Sequence, residues 1–501
     1  MSYQKQFEYI KGLNDTFRYY KTIESIFEQD QWSALPIEGG TYRQQVASHI
    51  AMQKAGLFDT EDAKKAEEYF SKINLSEIED DIERGLIRSF LFRYRNQTRI
   101  PKDLLYQYNM LRAETMNKWK EAREKQDFFV FKPWLSQVFE LKKQMALSVN
   151  PDAPAFDTLV NITDEGTGCE EISREFDILK TGLTDLRKKI EASDIKADDS
   201  IFIRPVDPVR LQEFAKRLAR ESGYEENRGG FNDKVVHAFT SFMGPRDARI
   251  SIHKTDNLNM IFTCLHEAGH AMYASGGNDA VNAANMWGGI EGSFQEAMAR
   301  FNENMVGRSL PYWEYYYPQL KKEFSEFSDV SLEDFYLSMN TVKPSLRRIT
   351  ADEVTYNLHV ILRYELERDY FNGKLEIEDI KDAWNDLSEK YLGIRPENDT
   401  EGVLQDMHWA GDYIGYFQSY ALGNIYCGQL KEAIAKAIPD LEVHLRNGNF
   451  VTLNQWLDEN IRQYGCCFTA PLMAERITGK RLDAQPFLRY LEEKYSQLYK
   501  L

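Results

Sequence analysis

The sequence predicts a predominantly α-helical protein, because apolar residues have helical spacing over most of its length and the breaks between these stretches fall at prolines or glycines. Apolar residues recur at helical spacing from Tyr3 to about Tyr224. The same periodicity resumes at Ser331 and continues towards the C-terminus. The intervening region 225–258 differs, because it contains short strand-like runs between glycines. Breaks between the predicted N-terminal helices fall at prolines or glycines, near Leu35-Pro36, Gly56, Ile100-Pro101 and 151–154.

Composition narrows the class of protein. The chain has 501 residues, which allows about three domains or one large two-lobed body. Its hydrophobic content of 43% is enough for a sizeable buried core. The net charge of −17 argues against nucleic acid and against an anionic membrane surface as partners.

Cysteine usage and hydropathy predict the compartment. The five cysteines are an odd number and include no CxxC pair, and the adjacent Cys466 and Cys467 have poor geometry for a disulfide, so they predict neither a disulfide framework nor a thiolate metal site. The N-terminal segment lacks the apolar core of a signal peptide, and no run approaches the length of about 18 apolar residues that spans a membrane. We therefore expect a cytoplasmic protein with reduced thiols.

A small hairpin is predicted between the two helical parts. Residues 227–230 are predicted to form a loop, and His237–Phe242 and Ala248–His253 to form two short strands around Gly244-Pro245. An exposed edge of such a hairpin would accept an extended peptide as an added strand.

The stretch Asn259–Tyr273 is predicted to be a helix that carries a metal site. It contains His266-Glu267-Ala268-Gly269-His270. Residues four apart leave one face of a helix, so both imidazoles can bind one Zn²⁺ while Glu267 reaches a water on the metal. Only eight histidines occur in the chain, so this spacing favours a zinc site over two core histidines that merely form hydrogen bonds.

A second helix, Gly288–Gly307, is predicted to supply the remaining protein ligand. A zinc site of the two-histidine type needs a third ligand, commonly a glutamate from a following helix. By spacing alone Glu291 and Glu296 are about equally placed. The alternative for Glu296 is a surface pair with Arg300, four residues later.

Three later stretches combine polar and aromatic residues more densely than helix interiors usually do. They are Ser345–His359, Gly402–Trp409 and Gly415–Gln429. The density of His, Asp, Gln, Trp and Tyr indicates a site, although ordinary core packing is the alternative for any single residue. Residues from Leu453 to Leu501 are predicted to be packing helices.

Together these motifs resemble the carboxypeptidase Taq family of zinc metallocarboxypeptidases, through nearly the whole chain. The family's HExxH is intact at His266–His270, and its GxxQDxHW element is complete at Gly402–Trp409. Its HPF, DxRxT and IRxxAD elements appear as His237–Phe239, Asp247–Ser251 and Arg347–Asp352.

The largest departure from the family pattern lies at Gln295–Arg300, which reads QEAMAR where the family has HESQSR. The liganding glutamate and the terminal arginine survive, so the resemblance favours Glu296 over Glu291. The missing His and Ser are expected to remove hydrogen bonds that support the ligands, and such losses commonly cost about 10–100-fold in metal affinity or rate.

The resemblance implies an enzyme that removes single residues from peptide C-termini with broad specificity. Zn²⁺, with Co²⁺ as a possible substitute, would be held by His266, His270 and Glu296, and Glu267 would act as general base. Tyr420, with His237 as second choice, is expected to stabilise the oxyanion. Arg348 is expected to bind the free carboxylate of the substrate as a clamp. The other expected substrate-binding residues are Asp406, His408 and Arg249. The alternative for Arg249 is a structural ion pair with Asp247.

The resemblance also implies a two-lobed helical body around a deep active-site groove, with a small β-sheet next to the zinc helix. We expect one domain over 1–501, with a helical part of about 1–225 and a zinc-site part of about 226–501. Peptides with a free C-terminus are the expected partners, and the protein is expected to be a homodimer.

Two alternatives to the carboxypeptidase hypothesis stay open at this point. A zinc oligopeptidase that cuts inside short peptides would not need a carboxylate clamp. An inactive relative that binds peptides or metal would have no use for Glu267 as a base.

Overall fold

The computed structural model describes residues 2–235 and 237–501 and confirms the predominantly helical fold class. The chain forms two compact units, each built from three segments. The first unit comprises Met1–Thr98, Asp198–Met339 and Leu430–Gly479, and the second comprises Arg99–Ala197, Asn340–Gln429 and Lys480–Leu501. Both units draw on sequence from either side of residue 225, and the assignment of one domain over 1–501 stays a prediction.

The α-helices follow the predicted breaks closely in the N-terminal half of the chain. They are α1 (Tyr3–Ser33), α2 (Gly40–Gly56), α3 (Glu61–Phe70), α4 (Asp81–Thr98), α5 (Lys102–Lys125), α6 (Phe128–Val149), α7 (Ala155–Thr163), α8 (Cys169–Ala192), α9 (Pro208–Glu221), α10 (Asn259–Ala274) and α11 (Asp279–Ala283). They continue as α12 (Ser293–Arg300), α13 (Leu310–Glu323), α14 (Leu332–Met339), α15 (Tyr356–Phe371), α16 (Ile380–Leu392), α17 (Phe417–Ala437), α18 (Leu441–Arg446), α19 (Val451–Asn460), α20 (Ala470–Thr478) and α21 (Gln485–Tyr499).

Helix ends follow local chemistry. The side chain of Asp207 caps α9 by accepting from the backbone N–H groups of Val209 and Arg210, and Pro208 occupies the first helical position. In α10, apolar residues fill most positions and the helix is buried along most of its length. Within the described residues, no helix combines the length and apolarity that a membrane crossing requires.

A three-stranded sheet lies in the first unit, with strand order β1-β3-β2. It consists of β1 (Gly229–Asn232), β2 (Phe239–Gly244) and β3 (Asp247–Ser251). The strands β2 and β3 form the predicted antiparallel hairpin, and β1 pairs with β3 in parallel. Both hairpin strands pack against α10, which fixes the sheet beside the histidine helix.

The prediction of a loop at residues 227–230 was wrong for Gly229 and Gly230, which belong to β1. A Cβ at Gly229 would lie 2.1 Å from the carbonyl oxygen of Ala248 and 2.3 Å from the hydroxyl of Tyr224. Gly229 is therefore compatible with a strand because only a residue without a side chain fits this close to β3, while Gly230 has a positive φ that favours glycine. The strand predicted from His237 begins at Phe239 instead.

The predicted helix Gly288–Gly307 was wrong in its first turn. Gly288, Gly289 and Gly292 all have positive φ angles, so the chain runs as a loop until α12 begins at Ser293. After Arg300 the helix widens into a π-helical segment, Phe301–Gly307. Such segments often occur at functional sites.

The polar stretches of the C-terminal half also differ from continuous helix. Ser345–His359 is helical only in a short 3-10 turn at Arg348–Thr350 and from Tyr356 onward, and Gly402–Trp409 contains turns and no helix. Loops of this kind hold their polar side chains with side-chain hydrogen bonds instead of a helical backbone pattern.

Candidate functional site

The helix α10 and the helix α12 approach unusually closely, and this brings the predicted metal ligands together. A Cβ at Gly269 would lie 2.7 Å from both the Cα of Ala299 and the carbonyl oxygen of Met298. Only glycine fits at such a contact, so the fourth residue of HEAGH is fixed by packing. The side chain of Asn302 strengthens the contact by donating to the carbonyl oxygen of Leu265.

The structure places the three residues predicted as metal ligands, His266, His270 and Glu296, in one group. One ligand atom from each lies within 4.8 Å of the others, and His270 Nε2 lies 3.9 Å from a carboxylate oxygen of Glu296. Tetrahedral zinc with bonds of about 2.1 Å needs ligand atoms roughly 3.4 Å apart. The group fits such an ion after small side-chain movements, and two nitrogens with one oxygen are donors that zinc accepts.

His266 has a charged partner on its other ring nitrogen. Its Nδ1 donates to Glu303 Oε2 at 3.0 Å, which leaves Nε2 for a metal. Burial acts to lower the pKa of His266, but Glu303 outweighs it and the net direction is upward. Burial acts to raise the pKa of Glu303, yet the charges of Arg300 and His266 hold it at about 2. Glu303 is therefore an ionised acceptor.

His270 has a neutral partner. The Gln295 amide nitrogen donates to the Gly288 carbonyl oxygen at 2.6 Å, so its amide oxygen faces His270 Nδ1 at 3.0 Å. Nδ1 must then carry the proton, which leaves Nε2 unprotonated and available to a metal. The expectation that QEAMAR removes the supporting hydrogen bond was wrong for this position, because the glutamine supplies an acceptor.

The predicted general base, Glu267, is buried and held by the sheet. Thr240 on β2 lies with its hydroxyl 2.7 Å from Glu267 Oε2, to which it donates, and 3.0 Å from the Glu267 backbone oxygen. The strand therefore orients the carboxylate that the histidine helix presents.

The other first-unit residues of the prediction lie outside this group. His237 is exposed in a bend before β2, close enough to His253 for its charge to help burial lower the pKa of that histidine. Arg249 is exposed on β3 and donates twice to Asp247, at 2.8 Å each. This ion pair is the structural role that was the alternative to substrate binding. Glu291 is 75% exposed and lies 3.9 Å from Lys21, so the geometry favours Glu296 as the ligand.

The remaining predicted substrate-binding residues form one cluster in the second unit. Arg348 is buried and donates through Nε and Nη2 to Asp406 Oδ1, at 3.3 and 3.0 Å. Its Nη1 lies 3.2 Å from the Tyr356 hydroxyl, and its guanidinium lies over the ring of Tyr420. His408 Nε2 lies 3.3 Å from the Tyr420 hydroxyl. The structure thus brings Arg348, Asp406, His408 and Tyr420 together in one cluster, and their roles stay predictions.

Three residues that contact predicted site residues, Glu303, Thr240 and Arg363, were missed from the sequence. Glu303 lies seven positions after Glu296, and this spacing on a helix was the available signal for it. Thr240 and Arg363 contact site residues only through the folded structure, and no motif in the sequence identified their roles. The HESQSR motif did identify position 295, but it did not show that the glutamine there accepts from His270.

Two half-buried histidines on α10, a glutamate from α12 and a glutamate between the histidines define a metallopeptidase of the HExxH type. The model of the family described as Carboxypeptidase Taq (M32) metallopeptidase matches residues 9–495. The chain belongs to this family. It is therefore a metallocarboxypeptidase, a peptide hydrolase.

Named relatives support this assignment along the whole chain. Thermostable carboxypeptidase 1 of Thermus thermophilus is 34% identical over 96% of each chain. Carboxypeptidase 1 of Bacillus subtilis is 30% identical over 100% of this chain and 99% of the relative. The crystal structure of the M32 carboxypeptidase from Deinococcus radiodurans R1 is 31% identical, with a TM-score of 0.93 over 99% of this chain and 100% of that chain.

Proposed function

We propose that the protein is a zinc-dependent carboxypeptidase that releases single C-terminal residues from peptides with broad specificity. The observation that carries this proposal is the His266, His270 and Glu296 group next to the buried carboxylate of Glu267. A zinc ion held by these three residues would supply a Lewis acid that activates water and polarises the scissile carbonyl.

The residues proposed to act in the reaction have separate tasks. Glu267 takes the proton of the attacking water and passes it to the leaving amine. Thr240 keeps the Glu267 carboxylate in position through its hydrogen bond of 2.7 Å. Tyr420, or His237 as second choice, donates a hydrogen bond to the developing oxyanion.

An exopeptidase must also recognise the free carboxylate at the end of its substrate. We assign this to Arg348, because a planar guanidinium matches a carboxylate with two parallel hydrogen bonds. Asp406 and His408 lie beside it in the second unit and support the same subsite. A peptide with a free C-terminus is therefore the expected partner.

One experiment tests the activity and the clamp together. The purified protein is loaded with Zn²⁺ or, separately, Co²⁺ and is given one short peptide as the free acid and as the C-terminal amide. We expect stepwise loss of C-terminal residues from the acid only, which mass spectrometry detects directly. Equal internal cleavage of both peptides would instead indicate an oligopeptidase.

One variant and one possible outcome of the wild-type protein test the proposal further. Glu267→Gln is expected to keep stoichiometric metal and lose turnover, which separates the general base from the ligands. Metal binding without cleavage by the wild-type protein would contradict the proposal and point to an inactive binding protein. Homodimer formation and a cytoplasmic location stay predictions, which sedimentation and localisation experiments can test.

A further inference from the structure

In the second unit, one carboxylate is shared by two buried guanidinium groups. Asp406 accepts from Arg348 through Oδ1 and from Arg363 through Oδ2, the latter at 2.5 Å. Among the described residues, Asp406 is the one acid within ion-pair distance of either arginine. The cluster therefore contains two positive charges and one negative charge.

The two histidines beside the cluster do not change this balance. Burial, helped by the arginines but opposed by Asp406, lowers the pKa of His408 to about 3. Burial and the charge of Arg363 lower the pKa of His359 well below its ordinary value. Both histidines are neutral at pH 7, so the cluster has a net charge of about +1.

Arg363 lies out of reach of a ligand. Its side chain is 0% exposed, its Nη1 donates to the His359 carbonyl oxygen at 2.7 Å, and its guanidinium lies over the ring of Trp384. Its Nη2 has no hydrogen-bond partner among the described residues. Burial lowers the pKa of Arg363 to about 10, which still leaves it protonated at pH 7.

Burying the Arg363 guanidinium with an unsatisfied donor costs folding free energy, so another interaction must favour its position. If Asp406 were paired with Arg348 alone, the pair would be neutral. An incoming carboxylate would then meet an arginine whose charge is already balanced by a nearby acid, and Asp406 would repel it. A second arginine behind Asp406 cancels that acid and leaves the charge of Arg348 unbalanced.

We propose that Arg363 is a positioning residue for substrate recognition: it holds Asp406 from the side opposite Arg348 and gives the cluster the positive charge that attracts a peptide's free carboxylate. The inference rests on the proposed role of Arg348 as the clamp. It assigns to Arg363 an effect that passes through Asp406 without contact with the substrate.

The test compares three variants of the zinc-loaded enzyme. Arg363→Met removes one positive charge, Arg363→Lys keeps it, and the double variant Arg363→Met/Asp406→Asn restores the net charge of +1 by removing the acid as well. The KM and kcat are measured for a free-acid tripeptide. The inhibition constant is measured for the same peptide as its C-terminal amide.

We expect Arg363→Met to raise the KM for the acid on the order of tenfold or more, because a full charge is lost close to the bound carboxylate. The inhibition constant of the amide should change by less than about twofold. Arg363→Lys should return the KM to within about threefold of the wild-type value, and the double variant should have a lower KM for the acid than Arg363→Met because its net charge is again +1.

If Arg363 only supports packing, the double variant should have a higher KM for the acid than Arg363→Met, because two lost side chains disturb packing more than one. A double variant that binds the acid more weakly than Arg363→Met therefore overturns the inference. If Arg363→Met does not fold, an unchanged KM in Arg363→Lys supports the inference, and a large rise in that KM overturns it.

Failure of the clamp itself is recognised separately. Arg348→Met should lose the preference for the acid over the amide. If it keeps the wild-type preference, the proposed role of Arg348 is wrong. If Arg348→Met loses the preference and Arg363→Met keeps it, the clamp stands and only the role of Arg363 is refuted.

Discussion

The replacement of the family's histidine by Gln295 leads to a prediction about metal affinity. Gln295 makes two hydrogen bonds, from its amide nitrogen to Gly288 and from His270 Nδ1 to its amide oxygen. Gln295→Met keeps a similar volume and removes both. It leaves the Nδ1–H of the half-buried His270 without its acceptor and permits the ring to turn away from the metal.

The magnitude follows from the cost of an unmade buried hydrogen bond. Such a group costs about 1–3 kcal/mol, and each 1.4 kcal/mol corresponds to about tenfold in an equilibrium constant. We therefore expect Gln295→Met to weaken Zn²⁺ binding by about 10–100-fold, the range typical for partners of ligating histidines. Gln295→Glu keeps an acceptor for His270 but repels the Gly288 carbonyl, so it should lower stability while the affinity for Zn²⁺ stays close to that of the wild type.

The assay is a competition for Zn²⁺ between the protein and a chelator of known affinity, with thermal unfolding measured on the same samples. Gln212→Met is a matched control, because Gln212 is also buried in the first unit and donates to a backbone oxygen, that of Ile252. The control should lose stability without losing affinity for Zn²⁺. Equal affinities of Gln295→Met and Gln212→Met, with both folded, would refute the argument.

The remaining predictions concern the base, the helix contact and a buried acid. Glu267→Gln should reduce kcat by at least about 10²-fold with the affinity for Zn²⁺ unchanged, measured by peptide hydrolysis and by chelator competition. Gly269→Ala should lower the free energy of unfolding by about 1–3 kcal/mol in denaturant titrations, because its Cβ would meet the Ala299 backbone at 2.7 Å. Burial raises the pKa of Glu367 from 4.5 to about 8, although Trp409 and Gly415 donate to it. Because the folded state binds this proton more tightly than the unfolded state, stability should fall as the pH rises from about 4.5 to about 8, by up to about 1.4 kcal/mol per pH unit, and Glu367→Gln should lack this component in denaturant titrations across that window.

Sequence reasoning was accurate where the determining interactions are local. The spacing of His266 and His270 fixes their common helix face, and apolar periodicity fixes α10 from Asn259 to Ala274. The same reasoning was wrong at Gly229 and at Gly288, where the backbone conformation depends on neighbours far away in sequence. A glycine pattern alone does not distinguish a loop from a strand that approaches another backbone closely.

The supporting residues of the site were hidden for a related reason. Thr240 reaches Glu267 across 27 positions of sequence, and Arg363 reaches Asp406 across 43. Their roles depend on hydrogen-bond partners that exist only in the folded protein. Glu303 is the exception, because the predicted helix Gly288–Gly307 puts Glu296 and Glu303 seven positions apart, and both this spacing and the charge were visible in the sequence.

The two ligand histidines differ in the kind of support they receive, and this difference has a consequence for the site. His266 donates to the ionised carboxylate of Glu303, and the negative charge of Glu303 is balanced by Arg300, which donates to the same oxygen. His270 donates to an amide that has no charge at any pH and that is locked by Gly288. The family's histidine at position 295 would be a titratable group, whereas the glutamine of this chain is not. The support of His270 should therefore be independent of pH, and the exchange that looked like a loss in the sequence replaces a titratable partner with a fixed one.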